Sequence, residues 1–263
     1  MIKAWWFTNE GENFGDAVCP YILNKMTDKQ IVLSDEPGAL VSIGSVLFYH
    51  FTSPKVIWGA GSISSFHKSN IVDKHEIRAV RGPNTRKRLL KMGIQCPEVY
   101  GDPSILLPYI VEEEEPDKIH ELSFLPHWVD YEKLKGNKRI SEKFNIIDIR
   151  SGVHKVMKEI RESKIIISSS LHGIIVPEAF GVKSYFCKMS NKVTGNLFKF
   201  EDYYNSTNRI TRCYETNDVN SIDVDRIINM YENADPVFEY KKFLSSFPYE
   251  IKNKNLLEKI KNT

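Results

Sequence analysis

Cysteine is scarce in this chain of 263 residues, occurring only at Cys19, Cys96, Cys187 and Cys213. Positions so scattered offer no metal-ligand pairing, so free thiols in a reducing compartment are expected. Long apolar runs are missing too, and none approaches the length that spans a bilayer. The opening Met1-Ile2-Lys3-Ala4-Trp5-Trp6-Phe7 is too short for a signal peptide and lacks a small-residue cleavage pattern. A cytoplasmic protein is therefore expected, with peripheral contact at the inner face of a membrane left open. Neither sign of charge dominates. A formal net charge of +2 is too small to argue for nucleic acid, although a local basic cleft is compatible with it. Apart from one acidic run there is no low-complexity tract, and no internal repeat beyond an alternation of strands and helices. What remains is 41% hydrophobic and 27% charged, the composition of an ordinary soluble protein. Its length suits one large domain or two small ones, with enough apolar content for real cores.

The most informative stretch is Ser168-Ser169-Ser170-Leu171-His172-Gly173. Before it, Lys164-Ile165-Ile166-Ile167 is apolar without alternation, as in a buried parallel strand. After it, Ile174 to Phe180 reads as a short helix stopped by Gly181. A turn of hydroxyls, His and Gly between strand and helix presents backbone N–H groups at the positive end of a helix dipole. That suits an anion, with His172 beside it to give or take a proton. The plainer alternative is a Ser cap on an ordinary helix, with His172 merely hydrogen-bonded.

Two halves flank Val111-Glu112-Glu113-Glu114-Glu115-Pro116-Asp117-Lys118. Four consecutive acids followed by Pro repel one another and resist burial, which suits an exposed linker or a solvated loop. The division predicts an N-terminal domain over 1–112 and a C-terminal domain over 119–263. In the first half, strands are expected at Ile2–Phe7, Leu40–Ile43, Lys55–Trp58 and Ile77–Val80, with helices at Ala17–Met26 and Pro83–Met92. The second half predicts strands at Leu122–Leu125, Phe144–Asp148 and Lys164–Ile167, and a final one at Ser184–Phe186. A helix is expected at His154–Glu162, and the tail from Ile222 onward reads as helical. Strands alternating with helices predict a parallel sheet in each half, and their polar carboxyl-end turns should face a ligand crevice.

In those turns, Asp16 within Asn13-Phe14-Gly15-Asp16 is either a helix cap or a general base directed into the cleft. Arg81 stands at a strand end and suits a bidentate clamp on a carboxylate or phosphate. Arg86, five residues on, fits better on the helix. Asp102 before Pro103 reads as a turn former, and His127 after a strand end suits a ligand role. His50, His67, His75, His120 and His154 read as surface or packing residues.

Taken in order, these turns resemble the polysaccharide pyruvyl transferase family. The matching stretches are Asn13–Asp16, Gly59-Ala60-Gly61-Ser62, Arg81–Arg86, Gly101–Pro108, Pro126-His127 and Ser168–Gly173. Asp202-Tyr203-Tyr204 and Phe247-Pro248 are similar to late family features. The resemblance implies an α/β fold of two Rossmann-like domains facing across a cleft, as in GT-B glycosyltransferases. It implies transfer of pyruvate from phosphoenolpyruvate to two hydroxyls of a saccharide, which can be lipid-linked, giving a cyclic ketal and phosphate. Such a donor needs cations, hydroxyls and N–H groups around it, together with one acid and one base. By resemblance His172 is the acid. Asp16 would serve the acceptor, while Ser168, Ser169, Ser170, Arg81 and His127 would hold the donor. No metal or cofactor is required beyond phosphoenolpyruvate as co-substrate. Many relatives carry Arg where this chain has Ser170, so another cation is expected in its place, with Arg150, Lys183 and Arg81 as candidates and Arg86 as further support. Two other readings stand beside this one. One is a sugar-nucleotide glycosyltransferase on the same scaffold, and the other a non-catalytic carbohydrate-binding subunit.

Overall fold

The structure, a computed structural model, describes residues 1–8, 13–64, 72–231 and 235–262. His67 lies outside them. The first half is built from β1 (Ile2–Trp5), α1 (Phe14–Thr27), β2 (Ile31–Leu33), β3 (Leu40–Val41), β4 (Val56–Trp58), β5 (Glu76–Ala79), α2 (Pro83–Lys91) and α3 (Leu107–Ile110). The second half opens with β6 (His120–Leu125), α4 (Trp128–Leu134), α5 (Lys138–Ser141), β7 (Asn145–Ile146) and α6 (Val153–Arg161). It continues with β8 (Ser163–Ser168), α7 (His172–Ala179), β9 (Lys183–Lys188), α8 (Phe198–Ser206), β10 (Tyr214–Glu215) and α9 (Val224–Met230). The tail adds α10 (Tyr240–Ser245) and α11 (Lys254–Lys261).

Two parallel five-stranded sheets result, ordered β2-β1-β3-β4-β5 and β10-β9-β8-β6-β7. Counted within each half, both follow the order 2-1-3-4-5, so each sheet reverses direction between its first and third strands. Ligands of open α/β sheets bind outside the carboxyl ends at that reversal. In this chain those places follow β1 and β3 in one sheet, and β6 and β8 in the other.

Apolar spacing explains the layers. On α1, Val18, Cys19, Ile22, Leu23 and Met26 recur three or four residues apart, and all are buried. Val156, Met157 and Ile160 do the same on α6, which packs against α1. One apolar cluster runs without a break from α1, through Ile105 and Leu106, to Ile174, Ile175 and Val176 of α7. The halves therefore share a core.

The acidic run is solvated at its carboxylates but anchored at its backbone. Arg161 Nη2 donates to the carbonyls of Glu113 (3.0 Å) and Glu114 (2.6 Å), and the guanidinium also meets the Glu113 and Glu115 carboxylates at 3.3 Å.

Two features differ from the sequence reading. Strand β2 was not foreseen. Ser184–Phe186 is not the final strand, because β10 pairs with β9 beyond it. Both β2 and β10 are short edge strands, and neither runs into the glycine-serine turn that marks the equally short β3 and β4. The tail is helical as read, forming among the described residues three separate helices, two of which return to the first half. There the Phe243 ring stacks on Trp58 at 4.4 Å, and the Trp58 indole N–H donates to the Phe243 carbonyl. Lys252 N–H donates to the Met26 carbonyl at 2.9 Å. The cysteines are free, three of them buried.

Candidate active site

A cavity of about 460 Å³ opens at the carboxyl ends of both sheets, within the range of about 300–1,000 Å³ of small-molecule sites. Its walls come from the predicted turns. Asn13 and Asp16 follow β1, Gly44 to Tyr49 follow β3, His127 to Val129 follow β6, and Ser170 to His172 follow β8.

His172 begins α7 and is 8% exposed. Two glycines make its position possible. A Cβ on Gly173 would overlap Ser168 Oγ, so α7 starts hard against β8. A Cβ on Gly15 would overlap the imidazole itself, so α1 can bring its first turn directly against the ring. His172 Nε2 lies 3.4 Å from Asp102 Oδ2. Asp102 is buried, and its Oδ1 accepts from Ser104 N–H (3.0 Å) and Ser104 Oγ (2.7 Å). Burial alone would raise this carboxyl. The His172 charge and the Ser104 hydrogen bonds outweigh it and hold Asp102 below the usual carboxylate range. A carboxylate kept ionised beside Nε2 orients the ring.

Asp16 is not the cap of α1. Asn13 occupies that position, and Asp16 Oδ2 accepts a hydrogen bond from Asn13 Nδ2 at 2.9 Å. Burial raises the Asp16 carboxyl above its ordinary range, against the opposing pull of His172, Asn13 and Lys199. A raised carboxylate is a better base near neutral pH.

His127 lies on the opposite wall. Its Nδ1 accepts the Val129 N–H at 3.4 Å. Burial, with the Lys199 charge adding to it, holds the imidazole down to about 3. The ring is therefore neutral, and with Nδ1 accepting, its proton belongs on Nε2.

Of the triple serine, only Ser170 lines the cavity. Ser168 Oγ donates to the Leu125 carbonyl (2.5 Å) and accepts Ser170 N–H (3.0 Å). Ser169 Oγ accepts His127 N–H and donates to Asp130, each at 2.9 Å, and Asp130 also accepts from Ser190 Oγ. These two hydroxyls shape the turn rather than face the cavity.

Arg81 stands behind the wall. It is fully buried, with Nε and Nη2 each 3.1 Å from Asp202 Oδ2, and Nη2 donating to the Ser62 carbonyl. Nη1 donates to Ser45 Oγ at 2.5 Å, so Arg81 reaches the cavity only through Ser45. The remaining candidate cations lie elsewhere. Arg86 Nε donates to the Cys96 carbonyl, and Arg150 pairs with Asp148 and Glu132. Lys183 begins β9, at the amino edge of the sheet, opposite to the cavity.

Sequence reasoning missed several residues. Asp102 is a turn former as expected, yet its second oxygen faces His172; its place in Gly101-Asp102-Pro103 was the available signal. Lys192 and Lys199 both line the cavity, as do Phe7, Phe48, Tyr49 and Trp128. Nothing local distinguished Lys199 among 36 basic residues. Among the described residues, no three His, Cys, Asp or Glu side chains converge as a metal site would require. Nor is any helix among them long and apolar enough to cross a membrane.

Two parallel sheets of order 2-1-3-4-5 whose carboxyl ends share one cavity, lined by an imidazole and a carboxylate from opposite halves, define an α/β protein of Rossmann-like type. The chain belongs to the polysaccharide pyruvyl transferase family, whose sequence profile matches residues 42–191. It is 27% identical over 208 residues to the succinoglycan biosynthesis protein ExoV of Rhizobium meliloti (strain 1021), a match covering 77% of this chain and 64% of that protein. It is also 34% identical over 108 residues to an uncharacterized protein of Acanthamoeba polyphaga mimivirus, covering 39% of this chain and 38% of the other. The chain thus aligns with less than two thirds of the length of either relative. No solved structure matches it.

Proposed function

We propose that this protein transfers pyruvate from phosphoenolpyruvate to two hydroxyls of a saccharide, forming a cyclic ketal and releasing phosphate. The observation that carries this reading is the meeting of Asp16 and His172, from opposite halves, in one cavity where Asp102 holds the imidazole. In this scheme a sugar hydroxyl adds to the central carbon of the enol while Asp16 accepts its proton. His172 delivers a proton to the methylene carbon, which becomes the methyl group. The second hydroxyl then displaces phosphate from the same carbon, and its proton leaves with the phosphate. The neutral His127, with its proton on Nε2, supplies a donor to the anion without adding charge. Ser170 and the first turn of α7 supply further donors.

The same reading takes residues 1–112 and 119–263 as two Rossmann-like domains arranged as in GT-B enzymes, with the donor on the second. The acceptor would be a polysaccharide unit or its lipid-linked precursor, met at the cytoplasmic face of a membrane. Calorimetry with phosphoenolpyruvate beside a panel of sugar nucleotides tests the donor. Binding of phosphoenolpyruvate alone is expected, and binding of a sugar nucleotide alone overturns the reading. His172→Gln should abolish phosphate release with acceptor present while the fold persists. Near wild-type release from that variant removes His172 as the acid.

A further inference from the structure

Lys199 is a cation in an unusual position. It is 7% exposed, lines the cavity, and among the described residues its ammonium has no hydrogen-bond acceptor. Long basic side chains are almost never buried without a partner, because the desolvated charge is left uncompensated. The fold nevertheless holds this one in place. Asp202, three residues further along α8 and hence on the same face, is gripped by Arg81, by Thr85 N–H (2.9 Å) and by Thr85 Oγ1 (2.6 Å). Gly82 permits that grip, since a Cβ there would overlap the Asp202 carbonyl oxygen. Helix α8 is thereby locked to the first half with Lys199 turned into the cavity.

Apart from the Phe200 ring, whose centroid is 5.5 Å from the ammonium, the groups that face Lys199 do not satisfy it. Asp16 of α1 attracts the ammonium, but is itself shared with Asn13 and His172. Arg81, after β5, repels it, and the neutral His127 ahead of α4 contributes no charge. His172 of α7 and the exposed Lys192 stand in the same cavity wall, with Asn13, Ser45, Ser170 and Thr194. Burial, followed by the repulsion of Arg81, lowers the ammonium to about 8. Among the described residues, the ammonium is left without a hydrogen-bonded counter-charge of its own.

We propose that Lys199 is the specificity-determining cation of the donor subsite, seating the carboxylate or phosphate of phosphoenolpyruvate between Asp16 and His127. This rests on the pyruvyl-transfer reading for the identity of the anion, but not for the existence of the seat. Arg81, Arg150 and Lys183 are engaged or distant, so Lys199 is the buried side chain that can supply the charge.

The test is calorimetry with phosphoenolpyruvate and, separately, with inorganic phosphate, from pH 7 to pH 10. Lys199→Met should weaken phosphoenolpyruvate binding about 10- to 100-fold, as for loss of a hydrogen bond to a charged group. The wild-type affinity should fall as pH rises past the lysine titration, while Lys199→Arg stays charged and shows no such fall. A Met variant that binds phosphoenolpyruvate as tightly as wild type, with the same pH profile, overturns the Lys199 seat and leaves the pyruvyl reading standing. Should wild type ignore phosphoenolpyruvate but bind a sugar nucleotide that Lys199→Met loses, the pyruvyl reading falls and the anion seat stands. Wild type that binds no anion of the panel at any pH overturns the seat.

Discussion

Asp16 carries two opposed requirements at the scale of a single residue. Its burial raises the carboxyl, which improves it as a base and penalises the ionised form in the folded state. A folded-state value above the unfolded 3.8 gives stability that is fully present below 3.8 and lost as pH rises through the raised value. At neutral pH the ionised side chain therefore works against folding. Asp16→Asn should lower turnover by about 10²–10⁴-fold, while the melting temperature at pH 7 equals or exceeds that of wild type. Thermal unfolding measured beside phosphate release decides the point. A destabilised variant with full turnover would mark Asp16 as a structural residue that holds Asn13.

Helix α8 shows the same logic at the scale of an element. Asp202 and Arg81 have no exposure to solvent, and each satisfies the other together with Thr85, Ser45 and Ser62. Removing one partner of a buried pair leaves a bare charge and costs about 3–5 kcal/mol, whereas replacing both by apolar groups is often nearly neutral. Arg81→Met should accordingly destabilise the protein by about that amount in urea titration, and Arg81→Met with Asp202→Leu should recover most of the loss. This differs from the clamp that the strand-end position of Arg81 suggests. A stable Arg81→Met protein with a raised KM for phosphoenolpyruvate alone would restore the clamp.

Across the whole molecule, the two sheets are joined by more than a linker. The apolar cluster passes from α1 into α6 and α7, Phe14 N–H donates to the Ile149 carbonyl at 2.9 Å, and α8 is latched to α2. Helices α10 and α11 lie on the first half although they follow the second in sequence. Neither half can expose its share of this core without a large apolar penalty. A single cooperative transition is expected, with calorimetric and van't Hoff enthalpies equal. Two separated transitions would show that the halves are independent folding units.

The alternation of strands and helices, the parallel sheets and the placing of Asp16, His127, Ser170 and His172 in carboxyl-end turns were all legible in the sequence. Period, turn chemistry and helix stops act over a few residues, so the sequence displays them directly. Strands β2 and β10 were not legible, because each is a short edge strand without the glycine-serine turn that marks the equally short β3 and β4. Nor were the roles of Arg81, Asp102 and Lys199. Arg81 and Asp202 stand 121 positions apart, and only their meeting turns a ligand clamp into an internal pair. Asp102 and His172 likewise come from different halves, and Lys199 resembles any surface lysine until α8 is docked. Whether a charged group faces solvent, a partner or a cavity depends on which distant segments bury it, and burial is decided by the tertiary fold.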